Sequence, residues 1–288
     1  MSARRGARRP PIVTDQQLDH YRTFGFVVLP AYLEPHETAT LTSELDHALR
    51  DGFGAHFHQR PLRGGVEGHY LPMMSRHRTP TSLALVEDPR FLGAARRLLD
   101  APVLPTYAEG ILLFGQAGFH CDDGTGSMGV KFVAYLEPLV AQTGALRLMP
   151  GSHHPDFAAS LQAWERRHPA LDAQGLQRQL EGVPCYVAET RPGDVIAFDW
   201  HTWHASIRGT DRRQWTIGYA KDPRTTEETR RLRDFFESVV PEGDEPYDHA
   251  AYPCYDEQWL ATDPANSQRA TLTERMRELG LFEIASGR

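Results

Sequence analysis

Thr143-Gly144-Ala145-Leu146-Arg147-Leu148-Met149-Pro150-Gly151-Ser152-His153 reads as a short strand running into a tight turn. The apolar run stops at Met149, and Pro150-Gly151-Ser152 supplies turn chemistry. The same signature recurs on both sides. From Val103 to Tyr219 the chain breaks into short strand-like runs: Ile111–Phe114, Val130–Leu136, Ala145–Met149, Cys185–Glu189, Asp194–Phe198 and Gln214–Tyr219. Pro, Gly and Asp turns separate them, and one helical insertion spans about Asp156 to Gln179. Many short strands with turn signals predict a sandwich, jelly roll or barrel.

Helical patterns flank this β-rich region. Thr14-Asp15-Gln16-Gln17 has the form of a capping box and opens a helix to about Thr23. Gly25–Pro30 is a β-rich run closed by proline. Pro35–Arg50 carries Leu41, Leu45 and Leu49 on one helical face, and Asp88–Leu99 reads as a second amphipathic helix. Between them, Asp51–Pro80 is rich in Gly, His, Arg and Pro without a clean period, which predicts a long loop, either functional or disordered. Charged helices return after Pro223, at Thr225–Val239 and Thr271–Leu281. No internal repeat or linker is evident. The expectation is a flexible arm over 1–13 and one domain over 14–288, with a β core at about 103–221 and a helical segment at about 222–288.

The 288 residues suffice for one large domain with a substantial core. A net charge of -7 favours neither nucleic acid nor an acidic membrane as partner. Cys121, Cys185 and Cys254 are odd in number and widely spaced, which suggests neither a disulfide framework nor a zinc knuckle. Met1–Pro11 is basic but lacks the apolar stretch of a secretory signal, and no apolar run reaches membrane-spanning length. A cytoplasmic protein acting on a small molecule is expected. Oligomeric state is not readable from these features.

The chemistry centres on His120-Cys121-Asp122. Residues i and i+2 of an extended strand project to one face, so an imidazole and a carboxylate can reach one metal together. With a second histidine they would form a 2-His-1-carboxylate facial triad, the ligand set of mononuclear iron oxygenases. The pair alone is weak: among 14 histidines about one H-x-D arises by chance. A second does occur, at His154-Pro155-Asp156, where Pro at a first-turn position marks a helix start instead. His120 is set apart by the flexible Gly115–Gly118 and Asp123–Gly126 segments beside it. For the third ligand, spacing leaves His201 and His204 both open in Asp199-Trp200-His201-Thr202-Trp203-His204-Ala205-Ser206.

In their order and spacing these residues resemble the phytanoyl-CoA dioxygenase family of Fe(II)/2-oxoglutarate oxygenases. The resemblance runs from about Thr14 to Ala220 and adds Gly144–His153, Pro192-Gly193-Asp194-Val195-Ile196-Ala197-Phe198, His204-Ala205-Ser206 and Arg212-Arg213 to the H-x-D pair. It implies a double-stranded β-helix, the jelly-roll or cupin-like architecture, mostly β with flanking helices. It also implies His120, Asp122 and His204 as catalytic iron ligands, with His201 in a supporting role. Arg212 best matches the arginine that grips the distal carboxylate of 2-oxoglutarate, a bidentate task suited to guanidinium, and Arg213 stands close behind. The alternative for either is a solvated arginine in a turn. Ser206 could add a hydroxyl to the same carboxylate. Lys131, on an expected core strand, either binds a co-substrate carboxylate or snorkels to solvent. Phe119 before the motif and Cys121 within it depart from the family's usual residues.

The implied reaction couples Fe(II), 2-oxoglutarate and O2 to oxidation of a small molecule of natural-product or amino-acid metabolism, releasing succinate and CO2. Related halogenases replace the triad carboxylate with a small residue, so Asp122 favours hydroxylation. Candidate substrate contacts are His56, His58, His69 and Tyr70 from the long loop, and Trp200 and Trp203 near the distal ligand. Two other readings stay open on sequence alone. One is a zinc or manganese jelly-roll hydrolase or isomerase, and the other a non-catalytic ligand-binding β-sandwich.

Overall fold

The computed structural model describes residues 13–63, 66–168, 181–239, 246–261 and 266–286. In chain order the elements are α1 (Asp15–Phe24), β1 (Phe26–Leu29), α2 (Pro35–Phe53), a 3-10 turn (Gly54–His58), β2 (Leu62–Arg63) and β3 (Val66–Pro72). Next come α3 (Pro80–Val86), α4 (Pro89–Leu99), β4 (Val103–Leu113), β5 (Ala117–His120), β6 (Gly129–Tyr135), β7 (Leu146–Leu148) and α5 (Pro155–Arg167). The remainder are β8 (Tyr186–Ala188), β9 (Val195–Asp199), β10 (His204–Ser206), β11 (Arg212–Lys221), α6 (Thr226–Val239), α7 (Glu257–Leu260), α8 (Ser267–Glu278) and α9 (Leu281–Ser286).

The strands form two antiparallel sheets, a seven-stranded one in the order β1-β9-β6-β11-β4-β3-β2 and a four-stranded one in the order β5-β10-β7-β8. Strand periodicity sends alternate side chains of the large sheet to opposite layers. On β6, Val130, Phe132 and Ala134 join the helix-side core, whereas Lys131, Val133 and Tyr135 face the small sheet. On β11, Trp215, Ile217 and Tyr219 pack on the helix side, leaving Gln214 for the interior between the sheets. The polar tips of two of these are satisfied: Trp215 donates to Ser82 Oγ (2.8 Å) and Tyr219 to the Val86 carbonyl (2.8 Å). Phe26, Ile196 and Phe198 of the large sheet meet Leu146, Leu148 and Ala188 of the small one, closing one end of the sandwich. This is the expected jelly roll with flanking helices.

The capping box forms as expected, Thr14 and Gln17 exchanging side-chain-to-backbone bonds of 3.2 and 2.8 Å. Pro155 is the first residue of α5, as a helix-start reading of His154-Pro155-Asp156 requires. The Asp51–Pro80 stretch is not one long loop. It continues α2, makes a 3-10 turn and contributes β3, a full partner of β4. Its period was hidden because β3 presents His69 and Leu71 to one layer and Gly68 and Tyr70 to the other, so polar and apolar residues do not alternate. The expected arm at 1–13 lies outside the described residues except Val13, which is fully buried. The end of the expected helical insertion, 169–179, also lies outside them. No described helix is long and apolar enough to cross a membrane.

Candidate active site

β10 pairs antiparallel with β5 so that His204 stands directly opposite His120, their rings 4.3 Å apart between centroids. Asp122 follows just past the end of β5, where its backbone N–H donates to the Trp200 carbonyl at 2.9 Å. One ligand atom from each of His120, Asp122 and His204 lies within 4.8 Å of the others. Both imidazoles are fixed in the same sense. Nδ1 of His120 faces the Gly118 carbonyl at 2.8 Å and Nδ1 of His204 faces the Thr202 carbonyl at 2.9 Å. A carbonyl accepts only, so each Nδ1 carries the proton and each Nε2 presents its lone pair to the site. Asp122 contributes a buried Oδ2 with no hydrogen-bond partner among the described residues. Two imidazole nitrogens and one carboxylate, converging, fit a divalent iron-type ion.

The electrostatics agree with that donor set. Burial, reinforced by the neighbouring His120, pulls His204 down to about 3, keeping it neutral. Burial alone would raise the Asp122 pKa, but the Lys131 ammonium beside it holds it below the ordinary carboxylate value. Lys131 Nζ lies 3.3 Å from Asp122 Oδ2. His201 is not in the cluster. Its Nδ1 meets Asp199 at 2.9 Å and its Nε2 meets Asp123 at 3.4 Å, so it clamps two carboxylates beneath the site. Against the opposing effect of burial, Asp123 and Asp199 raise it to about 9.

The cluster opens into a cavity of about 150 Å³ between the sheets, whose wall includes Tyr70, Lys131, Tyr135, Phe198, Ser206 and Gln214. Arg212 sits on the same face of β11, one inward position beyond Gln214, and is fully buried. Its guanidinium donates to the carbonyls of Gly144 (2.9 Å) and Gly115 (2.5 Å), while its buried Nε–H has no partner among the described residues. Arg213 points to the opposite layer. It is committed to Asp46 of α2 (3.1 Å) and Glu137 (3.2 Å), so strand parity separates the two arginines.

The expected substrate contacts divide. Tyr70 lines the cavity, whereas His69, its neighbour in sequence, faces the helices and bonds to the Phe57 carbonyl at 2.9 Å. Trp203 is buried and makes backbone bonds to Met149 and Ser152 without reaching the cavity wall. Trp200 stacks on Phe235 of α6 at 3.9 Å, and His56 and His58 are exposed. Gln214 and Tyr135 in this cavity, and Tyr107 and Glu109 beside it, were not singled out from sequence. Alternation with Trp215, Ile217 and Tyr219 marks Gln214 as facing away from the helices, but only the second sheet makes that direction an interior one.

A jelly roll with two imidazoles and one carboxylate converging on a cavity between its sheets defines the mononuclear non-haem iron oxygenases. The model of one family, phytanoyl-CoA dioxygenase (PhyH), matches residues 21–214, more than half of the chain, and the protein belongs to that family. The ectoine dioxygenase of Bordetella parapertussis (strain 12822) is 26% identical over 235 residues, covering 69% of this chain and 75% of its own. That of Streptomyces avermitilis is 24% identical over 221 residues, covering 68% and 74%. In fold the chain is similar to HygX from Streptomyces hygroscopicus, solved with nickel and 2-oxoglutarate (TM-score 0.58, 20% identity, 73% and 87% covered). It is also similar to SnoN, an α-ketoglutarate-dependent epimerase from nogalamycin biosynthesis (TM-score 0.55, 18% identity, 81% and 91% covered). The protein is an Fe(II)/2-oxoglutarate-dependent dioxygenase, and neither the hydrolase nor the binding-module reading finds support.

Proposed function

We propose that the enzyme hydroxylates, or otherwise oxidises, a C–H bond of a small molecule, with His120, Asp122 and His204 holding the iron and Arg212 anchoring 2-oxoglutarate. The reading is carried by the convergence of one ligand atom each from His120, Asp122 and His204 within 4.8 Å, with Nδ1 of both imidazoles already turned to a backbone carbonyl. Iron, when bound, supplies oxygen activation coupled to decarboxylation of 2-oxoglutarate into succinate and CO2.

The chain's own residues do the rest. The Gly118 and Thr202 carbonyls hold both imidazoles in the metal-binding tautomer before any ligand arrives. Lys131 keeps Asp122 ionised inside a buried site. Arg212 offers its leftover Nε–H to the distal carboxylate of the co-substrate, and Ser206 and Gln214 lie along the same wall. The apolar side chains of Ile111, Val133, Leu146 and Phe198 exclude water around the reacting region. A carboxylate at position 122 suits hydroxylation over halogen transfer. Ectoine dioxygenase and HygX, the latter also solved with hygromycin B, support a small-molecule substrate. A cytoplasmic setting accords with the absence of a disulfide among Cys121, Cys185 and Cys254.

Succinate formation is the test. Protein incubated with Fe(II), 2-oxoglutarate and O2 should release succinate, and omission of any one should stop it. Succinate formed equally without iron, or none under any small-molecule supplementation, would overturn the reading.

A further inference from the structure

A second cavity of about 140 Å³ adjoins the first and shares Tyr70, Asp122 and Lys131 with it. Its other walls are Tyr107 and Glu109 of β4, and Phe235, Ser238 and Val239 near the end of α6. An occupant would therefore face the reacting centre across Asp122, on the side away from Gln214 and Arg212. The cavity carries both signs of charge. Lys131 enters from β6 and Glu109 from β4, two strands away across β11 and two residues along, in the row of Thr216 and Val133, a diagonal backbone separation of about 12 Å from which both long side chains reach this cavity. Gly218 of β11 stands between Lys131 and Tyr107 in the cross-strand row. A Cβ there would lie 2.6 Å from the Tyr107 ring, so glycine lets the phenol lean over β11 towards Lys131. Tyr70 and Phe235 complete the aromatic framing.

Besides Asp122, which goes to the metal, the ionic side chains in the wall of this cavity are Lys131 and Glu109. A lone anion would meet Glu109 and a lone cation would meet Lys131, each at the cost of a like-charge approach in a confined space. An ammonium also has three N–H groups, and Asp122 takes up one side of it. We propose that this second cavity is the substrate subsite and that it takes a small zwitterion of amino-acid type, its carboxylate on Lys131 and its ammonium towards Glu109 within the Tyr70–Tyr107–Phe235 frame. The proposal rests on the oxygenase reading and deepens it.

The test uses full-length protein loaded with Ni(II) and 2-oxoglutarate, and three ring probes of one size: L-proline, cyclopentanecarboxylate and pyrrolidine. Binding is read by calorimetry. Proline should bind at least about tenfold more tightly than either singly charged probe. Lys131→Met should weaken proline and cyclopentanecarboxylate but spare pyrrolidine. Glu109→Gln should remove the preference for proline over cyclopentanecarboxylate. Proline binding no better than its analogues in the wild-type protein would overturn the subsite without recourse to the variants. Failure of Ni(II) and 2-oxoglutarate to bind at all would instead overturn the oxygenase reading beneath it.

Discussion

Gly144 and Arg212 are fitted to each other. A Cβ at position 144 would lie 2.7 Å from Arg212 Cδ, and the Gly144 carbonyl accepts from the guanidinium at 2.9 Å. Gly144 also has φ +96, a region that favours glycine. The turn after the helix-free stretch 136–143 therefore seats the arginine that the proposed mechanism uses for 2-oxoglutarate.

Substituting either partner should weaken the co-substrate. Arg212→Gln removes a buried charged donor and should cost 2-oxoglutarate affinity about 30-fold or more. Arg212→Lys keeps the charge but not the fork and should recover little of it. Gly144→Ala should displace the guanidinium, weakening 2-oxoglutarate and lowering stability by about 1–3 kcal/mol. Calorimetric titration into Ni(II)-loaded protein measures the first effect and urea unfolding the second. Wild-type affinity in Arg212→Gln would remove it from the site.

Arg213 supplies the control. Its partners Asp46 and Glu137 lie on the helix side, and its side chain is 31% exposed. Arg213→Gln should leave 2-oxoglutarate affinity unchanged and cost under about 1 kcal/mol of stability. Loss of co-substrate binding in this variant would reverse the assignment of the two arginines.

Metal-free protein should be pH-sensitive on both flanks. His204, pulled to about 3 by burial and then by His120, binds no proton in the folded state between its unfolded value near 6.5 and 3. The unfolded chain binds one there, so stability falls as pH drops through that window, by up to about 1.4 kcal/mol per unit for this one proton. His201 acts in the opposite direction. Raised to about 9 by its carboxylates, it contributes stability that is full below about 6.5 and is lost as pH rises towards 9. Its ring is 29% exposed, so that slope is shallower. Urea midpoints across pH, measured with chelator, should show a flatter acid limb in His204→Gln and a flatter alkaline limb in His201→Gln. Unchanged limbs would contradict both environments.

Glu44 is a stability element remote from the chemistry. Buried on α2, it accepts from the backbone N–H groups of Thr81 (2.8 Å) and Ser82 (3.1 Å) at the start of α3. Glu44→Ala strands both donors and should cost about 1–3 kcal/mol in urea unfolding. Affinity for 2-oxoglutarate should not change. A stability loss below the error of the measurement would show that solvent replaces the carboxylate.

Local pattern made the helices and most strands legible, because the capping box at Thr14 and the leucines of α2 act within a few residues of one another. The site was legible in its parts. His120 and Asp122 are two positions apart, but the choice of His204 over His201 depends on β10 lying against β5, a pairing of distant segments that spacing cannot express. The arginines were ambiguous for a related reason. Parity separates them at once, yet only the placement of the second sheet says which parity faces the cavity. Trp203 and His69 misled because their chemistry suits a ligand contact equally well, and each is spent on packing and backbone bonds. Glu109 and Tyr107 escaped notice on a strand whose expected extent, Ile111–Phe114, began too late to include them.

The most direct test of the metal centre is calorimetric binding of 2-oxoglutarate with and without Ni(II), in wild-type protein and in His120→Ala and Asp122→Ala. One equivalent of 2-oxoglutarate should bind the wild type only when metal is present, and both variants should lose metal and co-substrate together. Metal-independent binding in the wild type, or full metal and 2-oxoglutarate binding in either variant, would contradict the assignment of His120, Asp122 and His204 as the iron site.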